Sequence, residues 1–331
     1  MNSSNHRLTK RICLIGCGNV GSRHLQAIAK IPYDIQIDVV EPQLESKKIA
    51  MSRLDEIEFD KKNHHISWYS GINELEKPGD VTVVATTSFS RAELLKNLLE
   101  KGHSRFLIEK FVCQSNEEYE MLIAKFREFK AKGWVNTNPR CFEAYQKLKQ
   151  FFEDSQVIHF SVTASNVSAL ATNSIHYLDL FSFFTNDYQI KLNGDFLLNE
   201  LFPNKRGSNF VEFGGTIIGS INNGSTFSMT FLPSTNLPTV VNIIGNDKHI
   251  MIDETNNKLY DIINPENKKF SFNYEHASSL TTKIVKEILE KDECSLTTLE
   301  DSFLLHRELF RIFNARIKKI TNKEQSVCPI T

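Results

Sequence analysis

Two kinds of pattern alternate along the first part of the chain. Apolar runs at 12–15, 35–40 and 81–85 are short and rich in Ile, Leu and Val, whereas in 23–30, 45–54 and 91–101 the apolar residues recur three or four positions apart. The first pattern predicts strands buried on both faces, and the second predicts helices lying over them. Further strands are predicted at 66–69, 106–108 and 134–136 and a further helix at 116–132, with Gly102 and Gly133 stopping the helices that precede them. Strand–helix alternation with short links predicts an α/β domain over residues 1–138, a doubly wound parallel sheet whose ligands sit at the carboxyl ends of its strands.

Past Asn138 the texture changes. A helix at 142–152, a strand at 157–164 and a helical stretch at 176–184 lead into strands at 210–221, 226–232, 240–244, 250–253 and 258–262, and helices at 280–290 and 298–320 close the series. Asn222-Asn223-Gly224 is a hairpin turn. Residues 139–331 are therefore expected to form an α+β domain on a largely antiparallel, open-faced sheet. Apolar residues on strands such as 210–221 and 226–232 would need cover, so a homodimer or homotetramer through this sheet is expected.

Composition acts mainly by exclusion. With 39 Lys+Arg against 40 Asp+Glu, the 331-residue chain has a formal net charge of −1 and no global positive field to gather phosphate backbones or anionic lipid. Nucleic acid and membranes are not expected partners. Residues 1–11 are polar and basic without the apolar stretch of a secretory signal, and no run approaches the roughly 18 apolar residues of a membrane span. The cysteines, Cys13, Cys17, Cys113, Cys141, Cys294 and Cys328, show neither a C-x-x-C pair nor metal-ligand spacing, and the His64-His65 pair has no partner spacing either. Reduced thiols in a cytoplasmic protein without a metal are expected. Cys328-Pro329-Ile330-Thr331 matches a prenylation box only superficially, since no polybasic run precedes it.

The first candidate chemistry lies in Gly16-Cys17-Gly18-Asn19-Val20-Gly21. A lone G-x-G-x-x-G is weak evidence, but this one follows an apolar strand, opens a helix and is followed 20 residues after Gly21 by Glu41, at the end of the next strand. Gly16 permits a sharp turn, Gly18 lets the backbone approach a pyrophosphate, Gly21 lets helix and strand pack closely, and Asn19 and Val20 lead into the helix amides. Glu41 would accept hydrogen bonds from ribose hydroxyls and repel a 2′-phosphate, which favours NAD. Lys47 and Lys48 stand close enough in sequence to meet a phosphate, so NADP is the second choice.

Together with Arg23-His24 after this turn and Glu109-Lys110 after the fifth strand, the sequence resembles the glucose–fructose oxidoreductase, inositol dehydrogenase and rhizopine-catabolism (Gfo/Idh/MocA) family. Asp80-Val81-Thr82-Val83-Val84-Ala85-Thr86-Thr87 is similar to that family's fourth strand and cofactor-contacting turn. The segment 171–180, ATNSIHYLDL, is similar to its D-x-x-x-H-x-x-D helix entry, and 245–253 to its late G-x-x-G strand. The resemblance implies a Rossmann domain for NAD(P), with Thr86, Thr87, Glu109 and Lys110 added to the cofactor contacts. It also implies Lys110 as the residue that bonds the substrate hydroxyl and organises the nicotinamide, and His176 as the proton acceptor. A neutral imidazole, with an unperturbed pKa near working pH, suits that task.

Asn138, Arg140, Thr172 and Asn173 complete the expected substrate contacts. Arg140 could hold a substrate carboxylate or phosphate by a two-pronged contact, or form an interdomain salt bridge; the residues leave both open. Asp179, three residues after His176, either orients it or caps the helix. Three departures stand out: Thr172 where the family's dehydrogenases carry an aspartate, Phe111 where proline follows Glu-Lys, and Arg91 where histidine is common. Loss of the carboxylate means that another acid substitutes, that Asn173 reshapes the pocket, or that the chemistry is slow or absent. The expected activity is hydride transfer between nicotinamide and a secondary hydroxyl or ketone of a sugar, cyclitol or sugar nucleotide, with surface-polysaccharide sugars as a narrower expectation. The alternatives are a non-catalytic NAD-binding sensor or scaffold, and a glycoside hydrolase working by transient oxidation on retained NAD.

Overall fold

In the computed structural model, which describes residues 9–59, 64–165, 169–232, 236–267, 269–275 and 277–331, the early apolar runs become parallel strands. The first eight residues of the segment read for a secretory signal lie outside that set. The chain runs β1 (Lys10–Ile15), α1 (Gly21–Ile28), β2 (Ile35–Val40), α2 (Leu44–Asp55), β3 (His64–Tyr69), β4 (Val81–Val84), α3 (Arg91–Glu100), β5 (Arg105–Ile108), α4 (Asn116–Glu128) and β6 (Lys132–Val135). It continues through α5 (Glu143–Phe151), β7 (His159–Ser165), α6 (Leu170–Thr185), β8 (Lys191–Asn193), β9 (Phe202–Pro203), β10 (Val211–Glu212), β11 (Gly215–Ser220) and β12 (Thr226–Leu232). Then follow β13 (Val240–Gly245), β14 (Lys248–Asp253), β15 (Lys258–Asp261), α7 (Ala277–Lys291) and α8 (Leu299–Thr321).

By compactness the chain divides into two units that interleave in sequence. One comprises Met1–Glu109, Leu122–Trp134 and His276–Ser295; the other comprises Lys110–Met121, Val135–Glu275 and Leu296–Thr331. In the first unit the strands are ordered β6-β5-β4-β1-β2-β3, the doubly wound order, with β1 parallel to both β2 and β4. The order reverses beside β1, so the turn after β1 lies at the switch point where such sheets take their ligands. Ile12, Leu14, Val39, Val83, Leu107 and Ile108 are buried, as near-continuous apolar strands require.

Helix α7, expected within the 139–331 domain, belongs to the first unit instead, and its sequence explains why. Leu280, Ile284, Val285 and Ile288 make one buried stripe, and α7 packs on α1. The Thr281 hydroxyl lies 2.8 Å from His24 Nδ1, and the Thr282 hydroxyl donates to the Ala27 carbonyl at 2.7 Å.

The second unit is built on a mixed sheet ordered β15-β14-β13-β7-β12-β11-β8. Asn222-Asn223-Gly224 makes the β11–β12 hairpin, pairing Ser220 with Thr226, while β12 runs parallel to β7. The strand expected over 210–221 is divided. Gly215 adopts φ +103°, and a Cβ there would lie 2.5 Å from the Phe196 carbonyl oxygen, so the chain bends. β10 consequently leaves the main sheet and pairs with β9. Helix α6 starts at Leu170 rather than near 176, because its first amides are satisfied by a side chain from β10, described below.

None of the six cysteines is joined in a disulfide, and Cys328 is fully buried. No helix among the described residues is long and apolar enough to cross a membrane, and no group of three or more His, Cys, Asp or Glu among them is arranged to hold a metal ion.

His103 supplies a pH-dependent element of the first unit. Burial, then the neighbouring Lys101, lowers its pKa to about 4, and the Thr82 hydroxyl (2.6 Å) and the Gly79 amide (3.4 Å) both face Nδ1, which accepts. The unfolded chain then binds more protons than the folded one between about pH 4 and 6.5, so this contribution to stability is complete above 6.5 and lost as pH falls towards 4. Urea midpoints at pH 7.5 and pH 5 should separate more in the wild type than in His103→Gln; equal separations would remove His103 as a cause.

Candidate active site

The turn after β1 is shaped by contacts that only glycine permits at two of its three glycines. Gly16 has φ +85°, and a Cβ on it would meet Thr86 Cγ2 at 2.9 Å. A Cβ on Gly21 would stand 2.0 Å from the Gly16 carbonyl oxygen. A Cβ on Gly18 would meet nothing within 4 Å, so this side of the turn is open. The turn is fastened from two further elements. Glu41, immediately after β2, accepts from the Cys17 amide at 2.7 Å and the Gln43 amide at 2.9 Å. Arg53 of α2, not singled out by the sequence pattern, donates to the Asn19 carbonyl at 2.9 Å and to Ser22 Oγ at 2.6 Å.

An open backbone over Gly18, the amino terminus of α1 and a carboxylate at the end of β2 fit a dinucleotide. The first offers room for a pyrophosphate, the second offers amides and a positive dipole, and the third offers acceptors for ribose hydroxyls. Cys17 adds no chemistry of its own: burial, reinforced by the Glu41 charge, pushes its thiol up to about 12.

Thr86 follows β4 and Glu109 follows β5, and Arg91 joins them. This buried arginine donates to the carbonyls of both residues and, at 3.3 Å, to the Thr86 hydroxyl. Arg91 therefore fixes the adjacent strand ends on which the expected cofactor contacts Thr86, Thr87 and Glu109 stand. The Glu109 carboxylate lies 3.0 Å from His24 Nε2, and that imidazole also reaches Thr281. The sequence reading placed Glu109 toward the cofactor; the structure shows one of its oxygens engaged with α1.

In the second unit, Lys110 donates from Nζ to the Thr172 carbonyl at 3.0 Å. Thr172 is in turn held by Glu212 of β10, an acid that the sequence reading missed. Glu212 accepts from the Ala171 amide (2.9 Å), the Thr172 amide (3.3 Å), the Thr172 hydroxyl and Asn204 Nδ2 (2.9 Å), and is only 4% exposed. Burial raises its pKa, opposed by the Thr172 hydrogen bonds and by the positive charge of Lys110. The available signal was an acid inside the apolar stretch Phe210-Val211-Glu212-Phe213, where a charge needs buried partners.

One turn along α6 from Thr172, His176 lines a cavity of about 410 Å³ with Asn138, Pro139, Asn173, Tyr177, Thr239, Glu254, Thr255 and Tyr274. The structure thus brings together three sequence-predicted residues, Asn138, Asn173 and His176. Glu254 was also missed. It is buried and accepts from Tyr145 (2.5 Å) and Tyr177 (2.7 Å); burial raises its pKa against the pull of those two hydroxyls.

Arg140 goes elsewhere. Its NH1 group bonds Asp179 Oδ1 at 3.2 Å, Tyr188 Oη at 3.1 Å and Thr297 Oγ1, and its guanidinium lies 4.9 Å from the Phe183 ring centroid. Of the two roles the sequence leaves open for Arg140, the structure shows a salt bridge, formed with fully buried Asp179 inside the same unit. Asp179 likewise engages Arg140 and Thr297, which gives it a structural task in α6. Phe111 is buried against His306 and Phe310, and the Lys110–Phe111 peptide is cis.

Residues 10–137 match the model of an oxidoreductase family with an NAD-binding Rossmann fold, GFO_IDH_MocA. The match covers the first part of the chain, 10–137 of 331 residues, and is to a family of NAD-binding oxidoreductases. No curated protein matches the chain. Among solved structures it is similar to an oxidoreductase from Agrobacterium radiobacter in complex with NAD+, L-tartaric acid and magnesium, with 16% identity, 95% of this chain and 96% of that one covered, and a TM-score of 0.68. It is similar also to the WlbA dehydrogenase of Bordetella pertussis in complex with NADH and UDP-GlcNAcA (14% identity, 92% and 96% covered, TM-score 0.67). A third is a 3-ketoreductase from Actinomadura kijaniata in complex with NADP (15% identity, 91% and 96% covered, TM-score 0.69). At these identities the likeness shows the shared two-part fold.

The position of Glu41 yields a measurable expectation. A hydrogen bond to a charged group contributes about 1.5–3 kcal/mol, so Glu41→Ala should weaken NAD binding roughly tenfold or more and narrow the NAD:NADP affinity ratio in calorimetry. An unchanged ratio would remove Glu41 from cofactor selection.

Proposed function

We propose that the chain catalyses NAD-dependent hydride transfer between nicotinamide and a secondary hydroxyl or ketone of a sugar, cyclitol or sugar nucleotide. The observation that carries this reading is the placement of His176, Asn138 and Asn173 on one polar cavity, with Lys110 bonded to the α6 turn that precedes His176. Gly16, Gly18, Asn19, Val20, Gly21, Glu41, Thr86 and Thr87 hold the dinucleotide, with Glu109 and Lys110 completing its contacts. NAD, when bound, supplies the hydride acceptor. In the oxidative direction His176 takes the hydroxyl proton as the carbon loses its hydride, and Lys110 hydrogen-bonds the same oxygen. In the reductive direction His176 returns that proton to the oxygen.

A carbohydrate is favoured by the cavity wall, where amides and hydroxyls from Asn138, Asn173, Thr239, Thr255 and Tyr274 offer both donors and acceptors. The sugar-nucleotide form of the substrate draws support from the Bordetella neighbour crystallised with UDP-GlcNAcA and from the UDP-N-acetylglucosamine 3-dehydrogenase of Acidithiobacillus ferrooxidans. On this reading the first compact unit, which adds α7 to most of the expected 1–138, forms the cofactor domain. The second unit, most of the expected 139–331 together with Lys110–Met121, forms the substrate and oligomerisation domain of a cytoplasmic homodimer or homotetramer.

The second reading, a non-catalytic NAD-binding sensor or scaffold, is favoured by Thr172 in place of an acid. Against it stands Glu212, which brings a carboxylate to that same residue. Hydrolysis of a glycoside on retained NAD would show as copurifying NAD without net reduction.

His176→Ala should lower turnover by roughly 10²- to 10⁴-fold, the range of a positioned general base. The dissociation constant for NAD should stay within about twofold. Absorbance at the reduced-nicotinamide band, with sugars, cyclitols and sugar nucleotides as substrates, measures the first, and calorimetry the second. Wild-type turnover in the variant would take His176 out of the mechanism, and NAD binding by the wild type without turnover on any class would move the assignment to a sensor or scaffold.

A further inference from the structure

Helix α6 begins without help from its own cap position: Ala169, at φ +56°, has no side chain to offer the first amides. A usual cap comes from a Ser, Thr, Asp or Asn at that position. Here the acceptor is Glu212, some 40 residues away in sequence, whose carboxylate faces the Ala171 and Thr172 amides, the Thr172 hydroxyl and Asn204. A neutral cap would satisfy those amides without the cost of desolvating a charge, a cost offset only when an opposite charge stands close. Lys110 is the cation that acts on Glu212, and its ammonium is bonded to the carbonyl of Thr172, the residue that Glu212 grips by amide and hydroxyl.

We propose that Glu212 is a positioning residue for Lys110: it fixes Thr172 by two donors so that the Thr172 carbonyl aims the Lys110 ammonium, and its carboxylate draws that ammonium to the same turn. The link runs carboxylate, Thr172, ammonium. Glu212 touches neither substrate nor cofactor on this account. The catalytic consequence rests on the oxidoreductase reading above, whereas the effect on Lys110 does not. Besides Glu212 of β10, the titratable side chain on the α6 face concerned is His176, one turn on, and His306 of α8 meets the Val112 amide two residues from Lys110.

The test uses the full-length protein with two readouts. In Glu212→Gln, which keeps the length of the side chain and removes its charge, kcat should fall roughly tenfold to a hundredfold, the scale of a misplaced reacting group. Substrate KM and the affinity for NAD should change by less than about threefold. Independently of turnover, the rate at which a trace of acetic anhydride acylates Lys110 at neutral pH, read by mass spectrometry, should rise because the amine is held less firmly against the Thr172 carbonyl. Adding Thr172→Asp to Glu212→Gln returns a carboxylate to the same turn and should restore both kcat and slow acylation, which repair of a merely structural cap would not do.

Wild-type kcat and acylation in Glu212→Gln would overturn the proposal, as would a double variant that regains neither. If the wild type turns over no carbohydrate, the proposed function fails, and the acylation rates still decide the role of Glu212. If Glu212→Gln does not fold, Thr172→Val removes only the hydroxyl link. A threefold to tenfold loss of kcat with faster Lys110 acylation then supports the proposal, and wild-type values reject it.

Discussion

The approach of Gly21 to the Gly16 carbonyl is the constraint on which the cofactor half of the protein depends. Space for a Cβ does not exist there, since it would stand 2.0 Å from that oxygen, so helix α1 can start hard against the end of β1 only with glycine at 21. Everything that gives the turn a use follows from this closeness: the amide of Cys17 comes within reach of Glu41, Arg53 reaches the Asn19 carbonyl, and the backbone at Gly18 faces open space. Rigid support arrives from beneath as well, because His24 in the first turns of α1 joins Glu109 at the end of β5 and Thr281 on α7. A dinucleotide site made mostly of backbone needs such immobility, since peptide groups can be aimed only by aiming the chain.

The second unit solves a different problem, the burial of charge. Arg140 and Asp179 form an ion pair in which the carboxylate is wholly enclosed. Removing one partner of such a pair costs about 3–5 kcal/mol through the charge left behind. Glu254 is enclosed with two tyrosine hydroxyls, and Glu212 with amides, a hydroxyl and a carboxamide. Helix α6 passes through all three arrangements: Thr172 meets Glu212, Tyr177 meets Glu254 and Asp179 meets Arg140. Its orientation about its own axis is thereby set by three polar anchors rather than by apolar packing alone, and His176 lies between them. A helix so pinned presents the candidate base in one direction, which hydrophobic burial, being non-directional, could not guarantee.

Legibility in the sequence followed the range of the interactions. The parallel sheet, the glycine turn and Glu41 were readable because each depends on residues a few positions apart or on a simple apolar period. Local pattern failed where the partner was distant. The true start of helix α6 is not legible because its cap comes from β10, and the place of α7 in the first unit is not, because nothing in its apolar stripe says which surface it covers. Arg140 showed a cation beside a cleft-forming turn but not Asp179, 39 residues away, on which the guanidinium closes. The strand at 210–221 was read as unbroken, although Gly214-Gly215 lay inside it; the left-handed φ at Gly215 is the break that those glycines allowed.

Thr172 brings these lines together. Read along the chain it is a loss, a hydroxyl where a carboxylate belongs. In space the carboxyl group is present, carried by Glu212 on a strand that bends away from the main sheet because of Gly215. Electrostatic influence falls with distance and with screening by water, not with separation along the chain, and the charge of Lys110 acts on the Glu212 carboxyl although the two stand about a hundred positions apart in sequence. What changes is the route: acid and lysine are joined through a threonine whose hydroxyl and amide both point at the acid and whose carbonyl points at the ammonium. A departure from a motif is therefore weak evidence for loss of activity until the groups around it have been placed in three dimensions.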